Sequence, residues 1–468
     1  MLMCASKSWQ MPLCFIVRSA FCVMLMTTGP VGANGWRLAE TTGIPDGIFL
    51  SGSFRVRYEN LNGRYRSGRS GSDEVLALRT LLHGGIDLGN VRIGAEIEDS
   101  RQEMGDSGTP LSATLVNTAE LLQAYFQWTV DDLSGFGTKG ILKAGRQTMD
   151  LGSRRLLARN RYRNTLNAFT GVDWQMTLGN GIQARAFYVL PVVSTPGDSS
   201  SMNQNEVDID EEDINFRFWG IQAKMDNTAC DGAAELYLLG LDENDTDERA
   251  TRNREIYTGG FRFYRPRKAG QLDYQVESMI QWGQSRTSTI STTDLNHLAY
   301  FQHTELGYTF EHAWNPRLLV QFDYASGDDD PNDGKNNRFD TLFGARRFDF
   351  GPTSIYGAFA RSNLISPGIK LQVKPADTVS GFAGYRANWL ASDRDSWTTA
   401  NVVDASGLSG SFLGHQVEVR VRWDPAPGNL RLETGMVHLF LGEFGRNAPD
   451  AVAEGDSTYY YVQSIFSF

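Results

Sequence analysis

Arginine and carboxylate side chains alternate with apolar ones in several stretches of this chain. In "SFRVRYE", Arg55, Arg57 and Glu59 fall opposite Phe54, Val56 and Tyr58. In "VRIGAEIE", Arg92, Glu96 and Glu98 fall opposite Val91, Ile93, Ala95 and Ile97. In "QVEVRVRW", Glu418, Arg420 and Arg422 fall opposite Val417, Val419, Val421 and Trp423. The same period brings Arg79, Asp173, Arg185, Arg386, Arg431 and Glu433 onto the charged side. A period of two separates the faces of an extended strand. One face is then a wall of guanidinium and carboxylate, and such a wall has two uses. Arginine rings select anions in pores, gripping carboxylate or phosphate bidentately, while acidic neighbours weaken the hold so that the ion leaves. Alternatively, the opposite charges pair with one another and only stiffen the wall. Alternation alone leaves both readings open.

Other chemistry finds little support. There is no phosphate-binding glycine loop, no paired-histidine zinc motif and no nucleophile elbow. The six histidines are scattered: His83, His297, His303, His312, His415 and His438. His83 and His415 alternate with apolar neighbours and are candidates for the charged face, but neither has a recognisable catalytic partner. No catalytic residue, metal or cofactor is expected, and no nucleic-acid partner. "GDDDPNDGK" at 327–335 does not place glycine and a closing glutamate at the spacing of a calcium-binding loop. With "DSSSMNQNEVDIDEED" at 198–213 and "DENDTDERA" at 242–250, it reads as an acidic, solvated rim that carries much of the formal charge of -11.

The elements that must hold the charged wall are strands. Glycine is plentiful at 48 residues and proline sparse at 15, which suits strands and turns. The pattern gives about 18 strands, a number within the range of outer-membrane barrels. They fall near 48–60, 74–88, 91–102, 120–129, 140–148, 168–178, 181–191, 214–225, 232–242, 254–264, 271–283, 297–310, 316–325, 363–374, 377–390, 414–424, 429–441 and 458–468. Connections after even strands are mostly short, as at Gly89-Asn90 and "KPAD" at 374–377. Those after odd strands are long, as at 149–167, 192–213 and 326–362. A soluble sandwich has no reason to sort its loops by parity, whereas a transmembrane barrel has long loops on one rim and short turns on the other. An open edge in lipid would leave backbone groups unsatisfied, so the last strand must pair with the first. Its Tyr460, Val462, Phe466 and Phe468 then face lipid, with the terminal aromatic at the interface. The final Phe468 also resembles the terminal signal read by the barrel-assembly machinery.

Residues 1–33 differ from the rest. Lys7 and Arg18 precede the short apolar run "SAFCVMLMTT", and Val31-Gly32-Ala33 offers small residues for cleavage. This is the pattern of a secretory signal peptide. Three of the four cysteines (Cys4, Cys14, Cys22) lie within it, leaving Cys230 alone and no disulfide framework. The expected protein is all-β: one transmembrane barrel over 34–468, exported to the bacterial outer membrane and monomeric. Cys230, in a turn after an even strand, is expected on the periplasmic side.

Two stretches carry a family resemblance. "LKAGRQTMDLGSRRLLARNRYRNTLNAFTGVDW" at 142–174 contains Gly145-Arg146-Gln147, then Gly152-Ser153-Arg154-Arg155-Leu156, Asn164-Thr165 and Phe169-Thr170-Gly171-Val172. "FDYASGDDDPNDGKNNRFDTLF" at 322–343 runs from a strand into Ala-Ser-Gly-Asp and ends on Phe-x-x-Leu-Phe. Both resemble hallmarks of the alginate-export family of outer-membrane porins. The resemblance implies an 18-stranded barrel with an electropositive lumen, a polyuronate-like anionic polysaccharide as substrate, and a place for Arg146 among the pore residues. The chain departs from the family after Leu342-Phe343, where "GARRFDFG" stands in place of a Pro and a nearby His. Its turn at 424–429 is too short to plug the periplasmic mouth, so a constriction must come from the long loops. Loop 149–167 is the leading candidate, because Arg154, Arg155, Arg159, Arg161 and Arg163 form a basic run among acidic loops. Attraction to lumen carboxylates such as Glu96, Glu98 and Asp173 would fold it inward. The alternative is that the run pairs with lipopolysaccharide phosphates outside.

Overall fold

The structure is a computed structural model that describes residues 36–41, 43–106, 108–132, 138–178, 181–228, 231–247, 249–451 and 455–468. The stretch 1–33 and Cys230 lie outside the described residues. Among the described residues, twenty strands form one sheet. Two of these, Glu211–Glu212 and Lys335–Asn336, are two-residue pieces of loops. The remaining eighteen build the wall: β1 (Ile48–Asn62), β2 (Ser72–Asp87), β3 (Val91–Glu103), β4 (Asn117–Val130), β5 (Lys139–Gln147), β6 (Phe169–Thr177), β7 (Gln183–Val193), β8 (Phe216–Thr228), β9 (Gly232–Glu243), β10 (Glu255–Arg265), β11 (Leu272–Ser285), β12 (Leu295–Thr309), β13 (Arg317–Ala325), β14 (Leu364–Ala376), β15 (Val379–Trp389), β16 (Phe412–Ala426), β17 (Leu430–Leu441) and β18 (Ser457–Ser467). Each lies within a few residues of its expected span. Neighbours pair antiparallel all round, and β18 closes on β1 with Ser53 opposite Ser467 and Asn62 opposite Thr458.

Closure runs to the last residue. The Phe468 amide donates to the Gly52 carbonyl at 3.0 Å, and the Gly52 amide to the Phe468 carbonyl at 2.9 Å. A Cβ on Gly52 would meet the Phe468 ring at 2.6 Å, so only glycine lets the terminal ring lie there. Trp36 stacks on Phe466 with centroids 6.3 Å apart. Both described ends of the chain therefore sit at the rim that carries the short turns.

The outer face is apolar and layered. Ile93, Ile97, Ile221, Val320, Ile369, Val419 and Val421 are exposed across its middle. Trp128, Trp174, Trp314 and Trp423 ring the short-turn rim, while Trp282, Tyr300, Phe440 and Tyr460 stand nearer the long-loop rim. An apolar band between two aromatic girdles is the outside of a bilayer-spanning barrel. Among the described residues no helix is long and apolar enough to cross a membrane. His415 belongs to this outer face: it shares the parity of Val417 and Val419, and its ring stacks on the exposed Tyr385. His83 points the other way and lies 3.2 Å from the Tyr125 hydroxyl inside.

Candidate pore and its constricting loops

Strand parity carries fifteen of the sixteen expected wall residues to the inside, in the register of inward neighbours such as Val437, Gln416 and Phe187. Arg146 is the exception. Its cross-strand partners are Ala124 and Thr170, in line with the exposed Phe126 and Val172. It therefore points outward, where it pairs with Glu120 and, at 2.8 Å, with Glu212 of the 194–215 loop. The strand turns Gly145 inward and Arg146 out, so Arg146 does not line the lumen.

Many inward arginines are already held by carboxylates. Arg57 meets Glu59 at 2.7 Å, Arg185 meets Asp173 at 2.7 Å, Arg422 meets Glu433 at 2.6 Å and Arg431 meets Asp424 at 2.7 Å. Arg92 pairs with Asp87, and Arg386 with Asp323 at 2.9 Å. Glu418 is taken by Arg347 at 2.7 Å, a loop residue and not a neighbour on the wall. Glu98 accepts from the Ser100 hydroxyl at 2.7 Å.

Another set of inward cations has no carboxylate partner among the described residues. Arg420 lies over the Phe382 ring, 4.7 Å from its centroid. Lys370 donates to the Phe348 carbonyl at 3.3 Å. Lys143 lies 3.7 Å above the Tyr125 ring and donates to Gln123 at 3.2 Å. Arg55 and Arg79 spend their donors on loop carbonyls, chiefly that of Arg163, at 2.7 Å and 3.0 Å. Lys143 and Lys370 were absent from the expected set, although "IKLQV" already places Lys370 opposite Ile369 and Leu371.

Those carbonyls belong to the loop 148–168, which folds into the barrel. Its basic residues meet the wall and a second loop. Arg159 reaches Glu96 at 2.6 Å, and Arg155 bridges Glu277 on β11 and Asp349 in the 326–363 loop, each at 2.8 Å. Arg161 pairs with Asp150 of its own loop at 2.6 Å, and Arg154 lies over Phe348. Burial alone would raise the Asp349 carboxyl, but Arg155 and Arg361 hold it well below the usual carboxylate range. The two loops pair through backbone: Phe343 N donates to Leu156 O at 2.9 Å, and Ala345 N to Arg154 O at 2.9 Å. Between them a Cβ on Gly344 would fall 1.7 Å from the Arg155 carbonyl, so this close approach needs glycine. Phe343 packs against Phe169 and Phe218 of the wall, with centroids 5.2 Å and 5.1 Å away. Together the loops form a strap across the lumen.

His303, Asp323 and Asp349 lie close enough together to hold a metal ion. Their carboxylates are instead engaged by Arg155, Arg361 and Arg386. Three guanidiniums around two carboxylates repel a cation, so the cluster is an internal charge network that anchors the strap.

An eighteen-stranded closed wall, an apolar outer belt and a charged lumen crossed by loops define a membrane β-barrel of the channel-forming kind. The sequence matches the alginate export family over residues 48–457, and the chain belongs to that family. Comparison with curated proteins returned no match. The fold is that of solved barrels at low identity. Acinetobacter baumannii OccAB1 is 11% identical with a TM-score of 0.58, covering 90% of this chain and 97% of that one. Pseudomonas aeruginosa OccK8 (OprE) is 10% identical with a TM-score of 0.57, covering 90% and 98%. Pseudomonas aeruginosa OccK3 (OpdO) is 12% identical with a TM-score of 0.54, covering 90% and 95%. The chain is an outer-membrane β-barrel channel.

Proposed function

We propose that the channel passes anions, with an alginate-like polyuronate or related anionic polysaccharide as its substrate class. The observation that carries this reading is that, of the inward cations left without a carboxylate, Arg420, Lys370 and Lys143 are not taken up by the carbonyls of loop 148–168 as Arg55 and Arg79 are. The charge-paired arginines build the wall, and these remain to meet a passing carboxylate by electrostatic attraction. Flow is passive, and no catalytic step is involved. The barrel acts as a monomer after export by the 1–33 signal and delivery through Phe468 to the assembly machinery. Lipid and lipopolysaccharide surround its outer belt.

The test is a reversal potential in a planar bilayer under a salt gradient, followed by block with oligo-uronates. Anion preference with saturable block supports the reading. Cation preference, or a silent barrel, overturns it. A second reading, an uptake porin for small anionic solutes, is favoured by the strap, because the paired loops narrow the lumen while they stay seated. The two differ in length dependence: a polymer channel is blocked better by longer oligomers, and a small-solute porin equally by the monomer.

A further inference from the structure

A second cation cluster lies among the long loops, joined to the wall where Arg55 and Arg79 donate to the Arg163 carbonyl. Arg66, Arg163 and Arg346 line a cleft of about 240 Å³ together with Ser112, Thr114, Thr353, Ser354 and Thr399. These residues come from five different long loops, all on one rim. Among the described residues, no carboxylate pairs with any of the three arginines. Arg66 donates to the carbonyl of Ile355 at 2.6 Å and to that of Tyr356. Arg346 donates to Phe359 O at 3.3 Å. Arg163 meets only neutral amides, Asn167 at 3.3 Å and Asn160. Burial holds Arg163 down to about 10, and burial with the nearby Arg163 does the same to Arg346. Such crowding of like charge is unfavourable unless something negative joins it.

The hydroxyls make the same point independently. Thr353 is 3% exposed, yet its Oγ1 has no hydrogen-bond partner, and neither has the buried Ser354 Oγ. The Arg346 Nε is likewise buried without a partner. Unsatisfied buried polar groups are rare, and several around one cleft ask for a ligand. The backbone is shaped to present them. Gly351, Ser354 and Gly357 all have positive φ, at 98°, 70° and 49°. Ser354 is strained there, and strain of this kind gathers at ligand sites. A Cβ on Gly357 would lie 2.9 Å from Arg346 Nη2 and 3.5 Å from Arg66 Nη2, so both guanidiniums face the same small space.

We infer that this cleft is a binding site for one tetrahedral oxyanion, sulfate or phosphate, free or as an ester on a small solute. Two hydroxyls and three guanidiniums approach from separate loops, more directions than the two oxygens of one carboxylate offer. Four oxygens around a centre match that spread. Lipid phosphates are excluded by place, because Arg163 and Arg346 belong to the loops that cross the lumen. The inference rests on the anion-channel reading and adds a recognition step on the long-loop side, built largely from the strap's own residues Arg163, Arg346 and Thr353.

The test is equilibrium binding of radiolabelled sulfate, and separately of phosphate, to the full barrel in detergent at low chloride. One saturable site per barrel is expected. Arg346→Gln should weaken binding about tenfold or more, the worth of a charge-assisted hydrogen bond. Thr353→Val keeps the shape and removes one donor, and should weaken it about threefold to tenfold. Absence of saturable binding, or unchanged affinity in both folded variants, overturns the site. Saturable binding of glucuronate with none of sulfate overturns the tetrahedral assignment. Binding is read without conduction, so an anion-selective barrel that binds no sulfate defeats only this inference. A barrel that binds sulfate but prefers cations defeats only the channel reading.

Discussion

Arg420 and Arg422 stand two residues apart on β16 and face the same lumen, yet their surroundings differ. Arg422 spends its guanidinium on Glu433, which also accepts from the Tyr461 hydroxyl at 2.7 Å. Arg420 meets only an aromatic face and has a buried Nε without a partner. A cation held by a carboxylate contributes little net field to the pore, whereas an uncompensated one attracts anions over its whole surroundings. Arg420→Gln should therefore lower the anion-over-cation permeability ratio by about twofold to threefold, and Glu433→Gln should raise it by a similar factor by freeing Arg422. Reversal potentials across a potassium chloride gradient measure both. Identical ratios in the two variants and the parent would sink the idea that pairing sorts the arginines. The face of each residue was legible in the sequence, because period two survives along β1, β3 and β16. The partner was not. Glu418 looks like the natural mate of Arg420, two residues away, but Arg347 arrives from a distant loop to take it. The family resemblance puts Arg146 in the lumen, and the adjacent Gly145 leaves its facing open in the sequence; the register across β4, β5 and β6 turns it outward.

At the scale of elements, the strap joins two loops that are far apart in sequence. Its polar centre is Arg155, buried between Glu277 and Asp349. The basic run of 149–167 was legible as an inward-folding element, because a cluster of arginines among lumen carboxylates gains by entering. Its mate was not legible: the Arg155–Asp349 contact spans 194 positions, and no local pattern in "GARRFDFG" announces it. Removing Arg155 leaves two buried carboxylates short of a cation, which costs on the order of 3–5 kcal/mol. The wall has its own ladder of backbone bonds, so this loss should free the strap before it unfolds the barrel. Arg155→Ala should make the 148–168 loop newly cleavable by protease while the barrel band stays intact. A resistant loop in a folded variant would show that the ion pairs do not anchor it. Deleting 153–163 goes further and should raise single-channel conductance together with anion leak. Unchanged conductance with a weakened outer membrane would favour contact with lipopolysaccharide phosphates instead.

For the whole molecule, closure is the condition on which the rest depends. Strand number, parity of the loops and the apolar outer face were all legible in the sequence, because lipid on one side and a charged lumen on the other enforce strict alternation on every strand. The inner surface was less so. Its cores, such as the group around Phe350, Ile355, Tyr356 and Trp397, form between loops whose sequence carries no period. The seam's pairing continues to the last residue, where Phe468 and Gly52 exchange two backbone hydrogen bonds and the terminal ring lies over the glycine. Each such bond is worth about 1 kcal/mol net in water and more in lipid, where no solvent replaces it. Deleting Phe468 removes both bonds and the ring beside Trp36, 6.4 Å away. Gly52→Ala keeps the terminal residue but pushes its ring off the seam, since a Cβ would also meet Leu81 O at 2.7 Å. Both variants should give less of the compact, heat-modifiable band on unheated gels, and the deletion should give the least. If Gly52→Ala folds as the parent does while the deletion fails in cells but refolds normally from denaturant in detergent, Phe468 acts as an assembly signal and not as a clasp. If both refold normally in detergent and assemble normally in cells, the seam does not depend on its last residue.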